Sequence, residues 1–100
     1  MIAADRGVLA ARAHLGRGET LVAQGRNDDA LGEFLKVSLL FSSEPEVARS
    51  LWLAGQCLEQ MGDKDKARAR YHELLDQHGK TPEAKLAKAR LAELEANKSF

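Results

Sequence analysis

The feature that most constrains this chain is an internal repeat. Laid on itself with an offset of 37, the sequence pairs Gly18 with Gly55, Leu21 with Leu58, Gly25 with Gly62, Asp28 with Asp65 and Ala30 with Ala67. The pairing continues through Phe34 and Tyr71, Val37 and Leu74, Pro45 and Pro82, and Glu46 and Glu83. A period of this size marks a supersecondary unit that stacks on its own copies, because one such unit cannot bury its apolar face alone.

The matched residues fall where helical geometry needs them. Gly25 and Gly62 each end an apolar-periodic run, and Asn27-Asp28-Asp29 or Asp63-Lys64-Asp65 follows. Glycine tolerates the left-handed conformation that closes a helix, and Asn or Asp caps the N–H groups of the next one. Pro45 and Pro82 suit the first turn of a helix and not its interior. Ser43 with Glu46 fits a capping box, and Thr81-Pro82-Glu83 reads as cap, first residue and dipole-complementing acid. Five helices are predicted, over 3–24, 28–42, 45–60, 64–78 and 82–96. Ala30, Phe34, Val37 and Phe41 mark one face of the second helix, and Ala67, Tyr71, Leu74 and His78 repeat it in the fourth. Gly18 and Gly55 lie inside helical runs, where glycine costs about 1 kcal/mol relative to alanine. Close approach to Ala30 and Ala67 is expected to offset that cost.

Charge and chemistry exclude several classes of activity. Lys plus Arg and Asp plus Glu both number 15, a formal net charge of zero. Nucleic acid or an anionic membrane as main partner would favour a basic excess. Lys64, Lys66, Arg68 and Arg70 form a local basic stretch, but Asp63, Asp65 and Glu73 intersperse it, as on a solvated helix face. No apolar run reaches the roughly 18 residues of a membrane span. Cys57 is the only cysteine, so neither an intrachain disulfide nor a thiolate cluster is available. In His72-Glu73-Leu74-Leu75-Asp76 an aspartate stands where a zinc motif needs its second histidine, which leaves two ligands and no third. No phosphate-cradling or nucleophile motif occurs. Neither a metal nor a cofactor is expected, and the chain is not expected to be an enzyme. The compartment stays open between cytoplasm and, for a piece of an exported protein, periplasm.

The ordered set Gly18, Leu21, Gly25, Ala30, Phe34 and Val37, matched by Gly55, Leu58, Gly62, Ala67, Tyr71 and Leu74, resembles the tetratricopeptide repeat. That family is built of helix-turn-helix units usually about 34 residues long. The resemblance implies an all-α solenoid of about two and a half units: one over 11–44, one over 45–81, and a capping helix over 82–96 within a single domain. Ala84, Ala87, Leu91 and Leu94 would cover the last apolar surface, with Lys85, Lys88, Glu93 and Glu95 on the wet side. The prolines come three residues later than the family pattern, which predicts a longer second helix. Units stretched in this way, with Pro82-Glu83-Ala84-Lys85-Leu86-Ala87 at the next start, resemble the bacterial envelope subgroup. That subgroup includes a periplasmic cell-division coordinator that works with the Tol-Pal system and a lipoprotein of outer-membrane assembly.

The resemblance further implies that first helices line a concave surface binding a peptide or partner-protein segment. The groove-facing residues would be Arg12, Leu15, Glu19 and Val22, then Arg49, Trp52, Gln56 and Glu59. Two guanidiniums able to grip carboxylates, one aromatic anchor, and acids or amides for backbone groups make a mixed lining. The Lys and Asn set with which chaperone-binding members clamp a terminal carboxylate is missing. Trp52 admits two readings, core packing beside Leu51 or groove anchor. Leu39, Leu40 and Phe41 also admit two: a longer second helix packed on both neighbours, or an exposed patch for self-association or docking. The second functional reading is a structural element, a capping or oligomerising segment of a larger assembly.

Overall fold

A computed structural model describes residues 6–97. They form five helices: α1 (Arg6–Ala23), α2 (Asn27–Leu40), α3 (Glu44–Gln60), α4 (Lys64–His78) and α5 (Pro82–Asn97). No strand occurs among the described residues. The expected start of the first helix, at 3–5, lies outside them. Successive helices pack side by side, α1 also touches α3 and α3 touches α5, whereas α2 and α4 do not meet. The stack is therefore drawn together on the α1, α3, α5 side and splayed on the other. Its extents of 57 × 31 × 17 Å describe an elongated slab.

The two helix hairpins are copies of each other at hydrogen-bond level. Gly25 and Gly62 adopt φ values of 76° and 85°. In the first turn the Arg26 N–H donates to the Leu21 carbonyl at 2.8 Å, and in the second the Asp63 N–H donates to the Leu58 carbonyl at 2.8 Å. These bonds close carbonyls left open at a helix end, and they require the left-handed residue between. The following caps differ. Asp63 accepts from the Lys66 N–H at 3.1 Å. At the first hairpin Arg26 takes the cap position without a side-chain bond, Asn27 is already helical, and Asp28 accepts the Asp29 N–H at 2.9 Å. Thr81 caps α5 through the Ala84 N–H at 3.2 Å. The Ser43 hydroxyl instead donates to the Glu46 carboxylate, so the two side chains meet but neither side-chain-to-backbone bond of the expected capping box forms.

The glycines inside the helices answer to aromatic rings rather than to alanines. A Cβ on Gly18 would stand 2.7 Å from Phe34 Cζ, and one on Gly55 would stand 2.7 Å from Tyr71 Cζ. Each ring occupies the space where a side chain would be, and both are fully buried. Burying one such side chain contributes about 1.5–3 kcal/mol, which exceeds the glycine cost.

The period also shows how the faces of α1 and α5 differ from those of α3. One face of α3, Val47, Ser50, Ala54 and Cys57, is buried, and its equivalents on α5, Ala84, Ala87, Leu91 and Leu94, are buried too. On α1 the same positions are Ala10, Ala13, Arg17 and Thr20, all exposed. The adjoining face, Ala48, Leu51, Gly55 and Leu58 on α3, is buried. On α5 it becomes Lys85, Lys88, Ala92 and Glu95, again exposed. Apolar faces thus meet between the described helices, and the outer faces of α1 and α5 carry small or charged residues.

One expectation about length is corrected. α2 stops at Leu40, and Phe41 is extended (φ −121°, ψ 156°), with its ring 5.9 Å from that of His14. The later proline lengthens the connection and not the helix, because Phe41 leaves the helix and turns its ring toward α1. Leu39 and Leu40 remain 78% and 73% exposed, so they do not pack on both neighbours.

Candidate partner-binding face

The cleft between α1 and α3 gathers most of the residues expected to face a partner. At one end Arg12, Leu15 and Glu19 from α1 meet Arg49 from α3 and Glu83 from α5 around a space of about 400 Å³. At the other, Val22 of α1 and Gln56 of α3 line a second space of about 330 Å³ with Leu53, Cys57 and Gln60, floored by Phe34. Leu15, only 5% exposed, is the floor of its end rather than a projecting contact.

The guanidiniums on this face are already partnered. Arg12 donates from Nε to Glu46 at 3.1 Å, and Arg49 donates from Nη2 to Glu19 at 3.2 Å. An arginine of α1 reaches a glutamate of α3, and an arginine of α3 reaches back to a glutamate of α1. The Ser43 hydroxyl, and then Arg12, hold the buried Glu46 carboxyl below its ordinary range. The Arg49 pair is half-exposed on both sides, and such pairs are worth about 0–1 kcal/mol. A carboxylate ligand therefore competes with built-in acids here.

Trp52 and Glu59 serve the junction with the last two helices. The Trp52 ring is half-buried, packs against the core and lies 5.4 Å from the Tyr71 ring, tilted by 38°. Glu59 accepts from Arg90 Nε at 3.0 Å on both oxygens, from Arg90 Nη2, and from the Tyr71 hydroxyl at 2.5 Å. The Arg90 bonds hold its carboxyl low against the opposing effect of burial. Burial first, and the Glu59 bond second, push the Tyr71 hydroxyl up, so it stays a donor. This cluster ties α3, α4 and α5 together and leaves Glu59 little capacity for a ligand. Arg90 has no counterpart in the earlier units, where Leu53 and Gly16 stand, so the repeat gave no signal for it.

The remaining chemistry is structural. Burial raises the Cys57 thiol, which suppresses the reactive thiolate. His14 bonds Glu33 at 2.8 Å and His78 bonds Glu44 at 3.1 Å, each linking neighbouring helices. His72 and Asp76 are both exposed, and no group of three potential metal ligands is assembled among the described residues. No helix among them is long and apolar enough to cross a membrane.

Antiparallel helix pairs stacked with one contracted face define an α-solenoid, a class of repeat proteins that offer extended concave surfaces. The sequence model of the tetratricopeptide repeat matches residues 9–80, and the chain belongs to that family. Its domains are non-enzymatic repeats that generally mediate protein–protein interaction. No curated protein and no solved structure matches the chain.

Proposed function

We propose that this chain is a non-enzymatic binding module that holds a peptide or partner-protein segment along the α1–α3 cleft, on the face shared with α5. The observation that carries this reading is the concentration of Arg12, Leu15, Glu19, Val22, Arg49 and Gln56 in one open cleft of mixed chemistry. Trp52 and Glu59 line neither space; Trp52 packs against Tyr71 of α4, and Glu59 is held by Arg90 of α5. A photo-crosslinking residue placed at Gln56 tests it against the same residue at Asp76, outside the cleft. A partner joined from position 56 and not from position 76 supports the cleft; equal yield from both counts against it.

The structural reading draws on one observation, the exposure of Leu39 and Leu40 at the end of α2. It makes that end of the slab a contact between copies or with a larger assembly. Concentration-dependent light scattering tests it, a monomer at all concentrations being the adverse outcome. Membership of the bacterial envelope subgroup is supported by the late prolines and the Pro82-Glu83-Ala84 start alone. With it goes the periplasmic alternative to a cytoplasmic location.

A further inference from the structure

The two ends of the α1–α3 cleft differ in chemistry, and together they specify a ligand. At the apolar end the side-chain amides of Asn27, Gln56 and Gln60 stand around Val22 and Leu53. None of the three is hydrogen-bonded to another described residue. A primary amide offers donors and acceptors together, matching the one N–H and one C=O that each peptide unit presents. At the charged end Arg12 and Arg49 are neutralised by Glu46 and Glu19. Glu83, half-buried in the first turn of α5, lines that end without an ion pair or hydrogen bond to any described residue. An incoming carboxylate must displace Glu19 or Glu46 and also face Glu83, whereas an incoming cation meets an unpaired acid.

The spacing follows from helix geometry. On α3, Glu46 lines the charged end with Glu83 and Leu53 lines the apolar end with Val22, and their separation of seven positions corresponds to about 10 Å of rise. A polyproline-type segment rises about 3.1 Å per residue with three residues per turn, so side chains three apart point the same way about 9 Å from each other. We propose that the cleft recognises an extended segment in which an apolar residue and a basic residue are separated by two others. The apolar side chain sits between Val22 and Leu53, the amides hold the backbone, and the cation rests at Glu83. This inference builds on the concave-cleft reading and narrows its partner.

Fluorescence anisotropy on the full chain tests it, with labelled Gly/Ser peptides carrying Leu and Lys separated by two other residues, in both orders. The controls replace Lys with Glu or place Leu and Lys side by side. The Leu/Lys peptide of one order should bind about fivefold more tightly than its Leu/Glu counterpart at low salt, the upper size for a half-exposed ion pair. Glu83→Gln should remove that preference, and Val22→Asp should abolish binding, with circular dichroism confirming that both variants fold. Equal or tighter binding of the Glu peptides, or a preference that survives Glu83→Gln, overturns the basic-residue rule. Binding that Val22→Asp abolishes but that ignores the Lys-to-Glu exchange keeps the cleft and sinks the inference. Binding indifferent to every cleft substitution overturns both.

Discussion

Arg90 of α5 grips Glu59 of α3 through Nε, 3.0 Å from each carboxylate oxygen, while its Nη2 reaches one of them. The pair joins helices 31 residues apart in sequence, and Tyr71 of α4 donates to the same carboxylate. Its side chains are 34% and 13% exposed, so the interaction is more sheltered than the surface pairs elsewhere on the slab. It fixes α5 against α3.

Removing Arg90 leaves a largely buried carboxylate with the Tyr71 hydroxyl as its remaining partner. Arg90→Ala should cost about 1.5–3 kcal/mol, the range for hydrogen bonds to charged groups. For a domain of this size that lowers the thermal midpoint by roughly 4–8 °C per kcal/mol. Hydrogen exchange should rise first in α5, and an unchanged α5 would show that apolar packing of Ala84, Ala87, Leu91 and Leu94 suffices.

Alanine at the helical glycines should have opposite effects at different sites. At Gly32, where a Cβ meets nothing within 4 Å, alanine should stabilise by up to about 1 kcal/mol through helix propensity. At Gly18 and Gly55 the added carbon collides with Phe34 or Tyr71, and overpacking of that kind costs about 1–3 kcal/mol. Urea unfolding of Gly32→Ala and Gly55→Ala gives both signs in one experiment.

Stability should fall on the acid side. Glu33, Glu46 and Glu59 all have carboxyls held below their ordinary value of 4.5, chiefly by bonds from His14, Ser43 and Arg90 respectively. In the unfolded chain they take up protons near 4.5, whereas in the folded chain they resist until lower pH. Their contribution is therefore complete above that value and is lost as pH drops through the folded values. Tyr71 acts at the other end: its proton is retained on folding above the ordinary value of 10.0, so stability declines as pH rises past it. Urea midpoints between pH 7 and pH 3 should fall with acidification, and less steeply in Glu59→Gln.

Leu39→Ser and Leu40→Ser remove apolar surface that the folded monomer does not use. Each should change monomer stability by no more than about 0.5 kcal/mol. Any self-association through this end should weaken in both variants, as read by sedimentation velocity. A large loss of stability in either would mean that α2 needs these side chains for its own packing.

The folded architecture was legible because its determinants are local and recur. The 37-residue period, Gly25 and Gly62 at the hairpins, and Thr81-Pro82 at the head of α5 specify where helices begin and end. The covering face of α5 followed from helical spacing alone. Phe41 escaped the pattern because its helical periodicity fits, yet its ring is taken up beside His14 only once α1 and α2 are packed.

The order of amino acids by itself determined the helix pairs, their hairpins and the polar face of α5, since backbone sterics, capping and 3.6-residue periodicity act over a few residues. Only the tertiary structure decided that Arg12 and Arg49 are matched by Glu46 and Glu19, that Glu59 is taken by Arg90 and Tyr71, and that Glu83 faces the cleft alone among the described residues. Those pairings join residues about 30 positions apart or depend on which helix faces meet. Charge partners at that range are set by how the helices pack, and no local spacing rule specifies them.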